Sequence, residues 1–213
     1  MLVGERMAHP VITVAPDLPI LEALDLMRRE HIRRTPVVHD GKLVGIVAEK
    51  DILHAAPSSA TSLSVWEMHY LMSKVTVKDV MTKDVLTVSE DTPIEEAARL
   101  MADNKVGGLP VMRSGKMVGI ITETGIFKIF LEMLGARVKG VRATVLVPNR
   151  AGEICKLSSA VYDLGGNIIA LGTFAGEDPS TYMVTLKVVG PSQEQLRVAL
   201  EPLVVRLTDI RTC

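Results

Sequence analysis

Apolar positions in the first part of this chain alternate between short β-type runs and helical stripes, and the alternation recurs. Val11, Ile12, Thr13 and Val14 form a β-branched run that predicts a strand. Asp17 and Pro19 then offer a polar cap and a helix-initiating proline. Ile20, Ala23, Leu24 and Met27 share one helical face, with Glu22, Asp25, Arg28 and Arg29 largely opposite, which predicts an amphipathic helix. Residues 36–38 and 42–47 read as two strands joined at Asp40-Gly41, a dipeptide that accepts the positive φ of a tight hairpin turn. A further helix begins at Glu49.

Shifted by 74 positions, residues 31–51 fall without a gap on 105–125, where Pro110-Val111, Gly115-Lys116, Val118-Gly119-Ile120 and Glu123 recur. The register extends upstream: Met7 matches Met81, Thr13-Val14 matches Thr87-Val88, Pro19-Ile20 matches Pro93-Ile94, and Leu26-Met27 matches Leu100-Met101. Thr92 is the expected cap of the second amphipathic helix, with Glu95 reciprocal. One β-α-β-β-α unit has been used twice, and the copies are expected to pair about a pseudo-twofold axis. A polar connector over 57–62 and a helix from Val65 separate them. Ser64 with Glu67 forms a capping-box spacing and Leu63 with Met68 a hydrophobic staple, and this helix is expected to pack across the seam.

After residue 134 the pattern changes. A strand over 141–147, a helix carrying Ile154, Leu157, Val161 and Leu164, strands over 168–174 and 182–189, a helix capped by Ser192, and a strand over 204–210 follow in turn. That is the β-α-β-β-α-β order of ferredoxin-like folds. The predicted fold class is therefore α+β, with repeats over 1–56 and 77–134, connectors over 57–76 and 135–140, and a third module over 141–213.

The chain has 213 residues, 47% hydrophobic and 23% charged, enough to bury a real core. A net charge of −1 and 3% aromatic content give no attraction to nucleic acid or an anionic membrane. No apolar run reaches signal-peptide or membrane-spanning length, so a cytoplasmic protein without a membrane partner is expected. Cys155 and Cys213 have no ligand spacing, nor do the five histidines, so neither a disulfide nor a metal site is expected, and Cys155 is assigned to the core. No nucleophile stands with a base, so the expectation is not an enzyme.

Thr13-Val14 and Thr87-Val88, Pro36-Val37 and Pro110-Val111, and the stretches Gly41-Lys42-Leu43-Val44-Gly45-Ile46 and Gly115-Lys116-Met117-Val118-Gly119-Ile120 resemble those of CBS (cystathionine β-synthase) domains. Their tandem pair forms the regulatory Bateman module. Val147-Pro148-Asn149-Arg150-Ala151-Gly152-Glu153-Ile154 and Gly166-Asn167-Ile168 give the last module a resemblance to ACT domains, with Asn149 and Ala151 where aspartate and proline are usual. The order of modules is similar to that of acetoin-utilisation CBS-ACT proteins.

The CBS resemblance implies an adenosyl ligand, AMP, ADP, ATP or S-adenosylmethionine, read by a Thr/Ser-x-x-Asp run. This chain splits the run into Ala48-x-x-Asp51 and Thr122-x-x-Gly125. The resemblance implies a binding set of Ile12, Thr13, Arg33, Arg34, Thr35, Pro36, Val37, Asp51, Leu86, Gly107, Gly108, Leu109, Pro110 and Thr122, with adenine against Ile12, Pro36 and Val37 or against Leu86, Pro110 and Val111. A carboxylate accepts from both ribose hydroxyls, and Arg33 and Arg34 can replace the hydroxyl missing at Ala48, so the site centred on Asp51 is expected to fill first. The alternative is structural: Asp51 caps a helix, the arginines form a solvated corner, and Val37 and Val111 are core. From the ACT resemblance, Asn149, Gly152 and Asn167 are candidates for an amino-acid effector at a helix start, or else turn residues. A homodimer that senses a nucleotide and regulates a partner enzyme is expected, and a ligand-free scaffold is the alternative.

Overall fold

The structure, a computed structural model, describes residues 1–55 and 65–213, apart from the side chains of residues 65 and 67–69. The connector over 57–62 and the Ser64/Glu67 and Leu63/Met68 caps lie outside the described residues. Contacts divide the chain into two compact units, 1–126 and 127–213.

In the first unit the repeat is visible at every step. Helix α1 (Ile20–Arg29) precedes the hairpin β1 (Arg34–His39) and β2 (Lys42–Ala48), followed by α2 (Glu49–Ala55). After α3 (Val65–Met72) and the short α4 (Val77–Val80), the second copy runs β3 (Val88–Ser89), α5 (Ile94–Asn104), β4 (Gly108–Arg113), β5 (Lys116–Thr122) and α6 (Glu123–Met133), whose later turns belong to the second unit. Both hairpins turn on residue pairs at positive φ, Asp40-Gly41 and Ser114-Gly115. Ile20, Ala23, Leu24 and Met27 are buried as the helical stripe predicts, and so are Ile94, Ala97 and Met101.

The copies exchange their leading segments. Residues 3–5 form a 3-10 turn that docks on the second copy: Val3 N donates to Thr92 O at 2.9 Å and Ala8 N to Ile120 O at 2.9 Å. The equivalent α4 turn docks on the first copy, with Val77 N donating to Leu18 O at 2.9 Å and Thr82 N to Ile46 O at 2.9 Å. Val3 and Val77 are each fully buried by the exchange. Met7 lies over Gly119 and Met81 over Gly45, where an added methyl group would overlap the thioether.

This exchange accounts for several departures from the expected elements. The leading segments supply carbonyls to the first free helix N–H groups, Val75 O to Ile20 N and Met1 O to Ile94 N. Pro19 and Pro93 therefore stand at the helix starts, and Thr92 Oγ1 instead accepts from Ser89 N at 3.1 Å. The strand expected over 11–14 is a single parallel bridge, Val14 to Val37, and its counterpart β3 has two residues. Of the described side chains of α3, the helix expected to pack across the seam, Met72 packs against the first copy's core, while Trp66, Tyr70 and Leu71 are exposed.

In the second unit, β6 (Val141–Pro148), α7 (Glu153–Asp163), β7 (Asn167–Ala175), β8 (Thr181–Val189), α8 (Gln193–Leu200) and β9 (Arg206–Thr212) form the expected ferredoxin-like order. The antiparallel sheet runs β7-β8-β6-β9. Val184, Leu186 and Val188 meet Leu157, Val161, Leu196 and Leu200 in its core. A 3-10 turn over Glu201–Leu203 delays the last strand by two residues relative to the predicted start.

Helix α7 is rotated from its predicted setting. Glu153, Leu157 and Val161, at steps of four, face inward, which leaves Ile154 and Cys155 exposed. The buried carboxylate accepts from Arg150 Nε and Lys156 Nζ, both at 2.7 Å, and these bonds, Lys156 first, hold Glu153 below the usual carboxylate range. Cys155 is thus a surface residue. On the opposite face of the sheet, buried Lys187 donates to Gly135 O at 3.0 Å.

Candidate ligand-binding site

Because the leading segments cross over, each cleft of the first unit is walled by both copies. The smaller cavity, about 160 Å³, sets Asp51, Ala48 and Lys50 against Asp84, Leu86, Lys105, Gly107 and Gly108 of the second copy. The larger, about 370 Å³, sets Ile12, Arg33 and Pro36 against Thr122, Glu123 and Ile120. Volumes of ~300–1,000 Å³ suit small-molecule sites, so the larger cavity already reaches that range. The carboxylate site and the hydroxyl site are therefore two different clefts, and Ile12 and Arg33 stand with Thr122, whereas Leu86 stands with Asp51.

Both halves of the split run act locally as helix caps. Asp51 Oδ2 accepts from Ala48 N at 2.8 Å, and Thr122 Oγ1 accepts from Gly125 N at 3.2 Å. A complete Thr-x-x-Asp run would make both bonds as a reciprocal capping box, and here each copy retains one half. Asp51 also lines the smaller cavity.

Arg34 is the centre of the arrangement. Position 34 is equivalent to Gly108, and the Arg34 side chain runs across Gly107-Gly108, where a methyl group at Gly107 would overlap its guanidinium. Its Nη2 lies 3.7 Å from Glu123 Oε2, the first residue of α6. Burial pushes the guanidinium below the ordinary arginine value, with Arg33 adding to the shift and Glu123 and Asp51 opposing it. It remains charged at any physiological pH.

The remaining expected residues do not line either cavity. Thr35 is buried and its hydroxyl donates to Ile12 O at 2.6 Å, while Val37, Leu109 and Pro110 are buried in the strands. Thr13 is exposed outside both clefts. Lys50, Asp84 and Lys105 also line the smaller cavity and Glu123 the larger, positions that the split run does not mark. Lys105 and Glu123 occupy the repeat positions of His31 and Glu49, a correspondence that identifies equivalents without showing which cleft each faces.

In the second unit, Asn149 borders an open groove with Arg150, Ile154, Phe174 and Tyr182. Its amide donates to Pro179 O at 3.0 Å. Gly152 is the left-handed residue before α7, and Asn167 begins β7 whereas the groove lies at that strand's other end. Asn167 is thus not brought to Asn149.

A duplicated unit with exchanged leading segments and two interfacial clefts defines a tandem-repeat module. Residues 3–58 and 77–132 match the CBS domain model, more than half of the chain, which therefore belongs to the CBS-domain family. A putative acetoin utilization protein (AcuB) from Vibrio cholerae is similar at a TM-score of 0.54 and 30% identity, covering 64% of this chain and 95% of that one. CBSX2 of Arabidopsis thaliana in complex with AMP is similar at 0.52 and 32%, covering 61% and 96%. The CBS pair of protein MJ0100 in complex with 5′-methylthioadenosine and S-adenosyl-L-methionine matches at 0.52 and 29%, covering 65% and 98%. Among curated relatives, an inosine-5′-monophosphate dehydrogenase of Korarchaeum cryptofilum is 37% identical over 118 residues, 55% of this chain but only 22% of the enzyme. No helix among the described residues is long and apolar enough to cross a membrane.

Proposed function

We propose that this chain is a cytoplasmic, non-enzymatic sensor that binds an adenine nucleotide or related adenosyl compound between its CBS units. The observation that carries this reading is one cleft lined by Asp51, by Leu86 and by the Gly107-Gly108 backbone that Arg34 crosses, with Lys105 beside it. A carboxylate for ribose, an apolar wall for the base and cations for phosphate are the groups such a ligand requires. Similar CBS pairs hold AMP, 5′-methylthioadenosine or S-adenosylmethionine. Ligand-dependent movement at Glu123 passes along α6 toward the C-terminal module and, through it, to a regulated enzyme. The C-terminal module we read as an ACT domain, with the groove at Asn149 as its amino-acid site. Phe127, Phe130, Leu131 and Met133, exposed on α6, support a homodimer.

Calorimetric titration with AMP, ADP, ATP and S-adenosylmethionine tests the proposal. Binding of at least one below millimolar concentration is expected, and silence from all four overturns it. The capping bonds of Asp51 and Thr122 favour a second reading, a scaffold whose clefts are vestigial. An unchanged ligand response in Asp51→Ala and Thr122→Ala supports that reading.

A further inference from the structure

The two cavities have two lining residues in common among the described residues, Arg34 and Gly107. Gly107 contributes backbone, so Arg34 is their shared side chain. We infer that Arg34 is the phosphate-reading residue of both cavities, and that the module consequently holds one phosphorylated adenosyl ligand at a time. This rests on the adenosyl reading above.

The other cations at the clefts, Lys50 and Lys105 on one side and Arg33 on the other, are exposed, and exposed charges contribute little to binding. Arg34 is partly buried, with a side-chain exposure of 23%, and is held on the wall between the cavities. A guanidinium binds phosphate through two parallel N–H bonds in one plane. Turned toward one cavity, that fork is unavailable to the other. The present partner, Glu123, is a single carboxylate at 3.7 Å whose side chain is 60% exposed, a contact that a phosphate dianion replaces readily. Gly107 makes the device possible, because any side chain there would evict the guanidinium.

Calorimetry of the intact chain with AMP and with adenosine tests this. Wild type is expected to take one AMP per chain, any second binding being weaker by about tenfold or more. Arg34→Met should weaken AMP by about tenfold or more while changing adenosine by less than about threefold. AMP filling two sites of like affinity overturns the inference, as does an equal loss of AMP and adenosine in the variant. Should Arg34→Met fail to melt cooperatively, Glu123→Gln serves instead: releasing Arg34 should tighten AMP a few-fold and leave adenosine unchanged, and unaltered AMP affinity overturns the inference. Failure of AMP, S-adenosylmethionine and adenosine alike to bind overturns the adenosyl reading itself, and this inference with it. Two equal AMP sites overturn the inference and leave the adenosyl reading standing.

Discussion

The first repeat sends Arg33 and Arg34 toward the cleft from the start of β1, where the second has Gly107 and Gly108 at the start of β4. The first keeps Asp51 and has Ala48, while the second keeps Thr122 and has Gly125. These are complementary differences. The space vacated by the glycines is the space the arginine fills, and each copy keeps the half of the helix cap that the other lacks. Duplication gave two equivalent backbones, and side-chain divergence at equivalent positions turned two like clefts into a smaller one that holds Asp51 and a larger one that holds Thr122.

The largest effects should come from breaking what the copies still share, the exchanged leading segments. Gly45→Val and Gly119→Val each push against a methionine from the other copy and should destabilise by about 1–3 kcal/mol in urea denaturation. The pairing is specific. Met81→Ala should relieve Gly45→Val, and Met7→Ala should relieve Gly119→Val, whereas the crossed combinations should be additive. Rescue by the methionine of the same copy contradicts the exchange.

A smaller effect separates the copies. Thr35 ties the Ile12 carbonyl at the larger cavity, and its equivalent Leu109 has no hydroxyl. Thr35→Val should cost about 1 kcal/mol. Amide exchange should rise at Val14 and Val38, which bond across that bridge, and stay constant at Val88 and Val111. Equal acceleration in both copies speaks against a local tie.

Much of this was legible in the sequence because it is local. The turn at Asp40-Gly41, the stripes of α1 and α5, and the Ser192 cap all follow from local residue pattern. The exchange was not legible, since a register of 74 identifies equivalent residues without saying whether a segment docks on its own copy or on the other. Arg33, expected beside Asp51, lines the other cleft for that reason. Ile154 and Cys155 were misplaced because burial of a carboxylate, Glu153, is not expected until Arg150 and Lys156 are seen to hold it.

The smallest expected effect sharpens the comparison of the leading turns themselves. In the turn before the second copy, Asp79 Oδ2 accepts from both the hydroxyl and the amide of Thr76, at 2.7 and 2.9 Å. The equivalent Glu5 accepts from the amide of Leu2, which has no hydroxyl to add. The Thr76 hydroxyl, and then its amide, hold the Asp79 carboxyl below the usual aspartate value. The unfolded chain thus takes up a proton near the ordinary value of about pH 4, before the folded chain does, so the stabilisation is complete above that pH and is lost as the pH falls through the folded value. Urea midpoints for wild type and Asp79→Asn, measured from pH 7 down to pH 3, should show a shallower acid decline in the variant. Thr76→Val should flatten the decline in the same window, because it removes the first of the two causes while sparing the amide bond. Parallel acid limbs in all three proteins mean that the turn leading into the second copy has no electrostatic advantage over its counterpart.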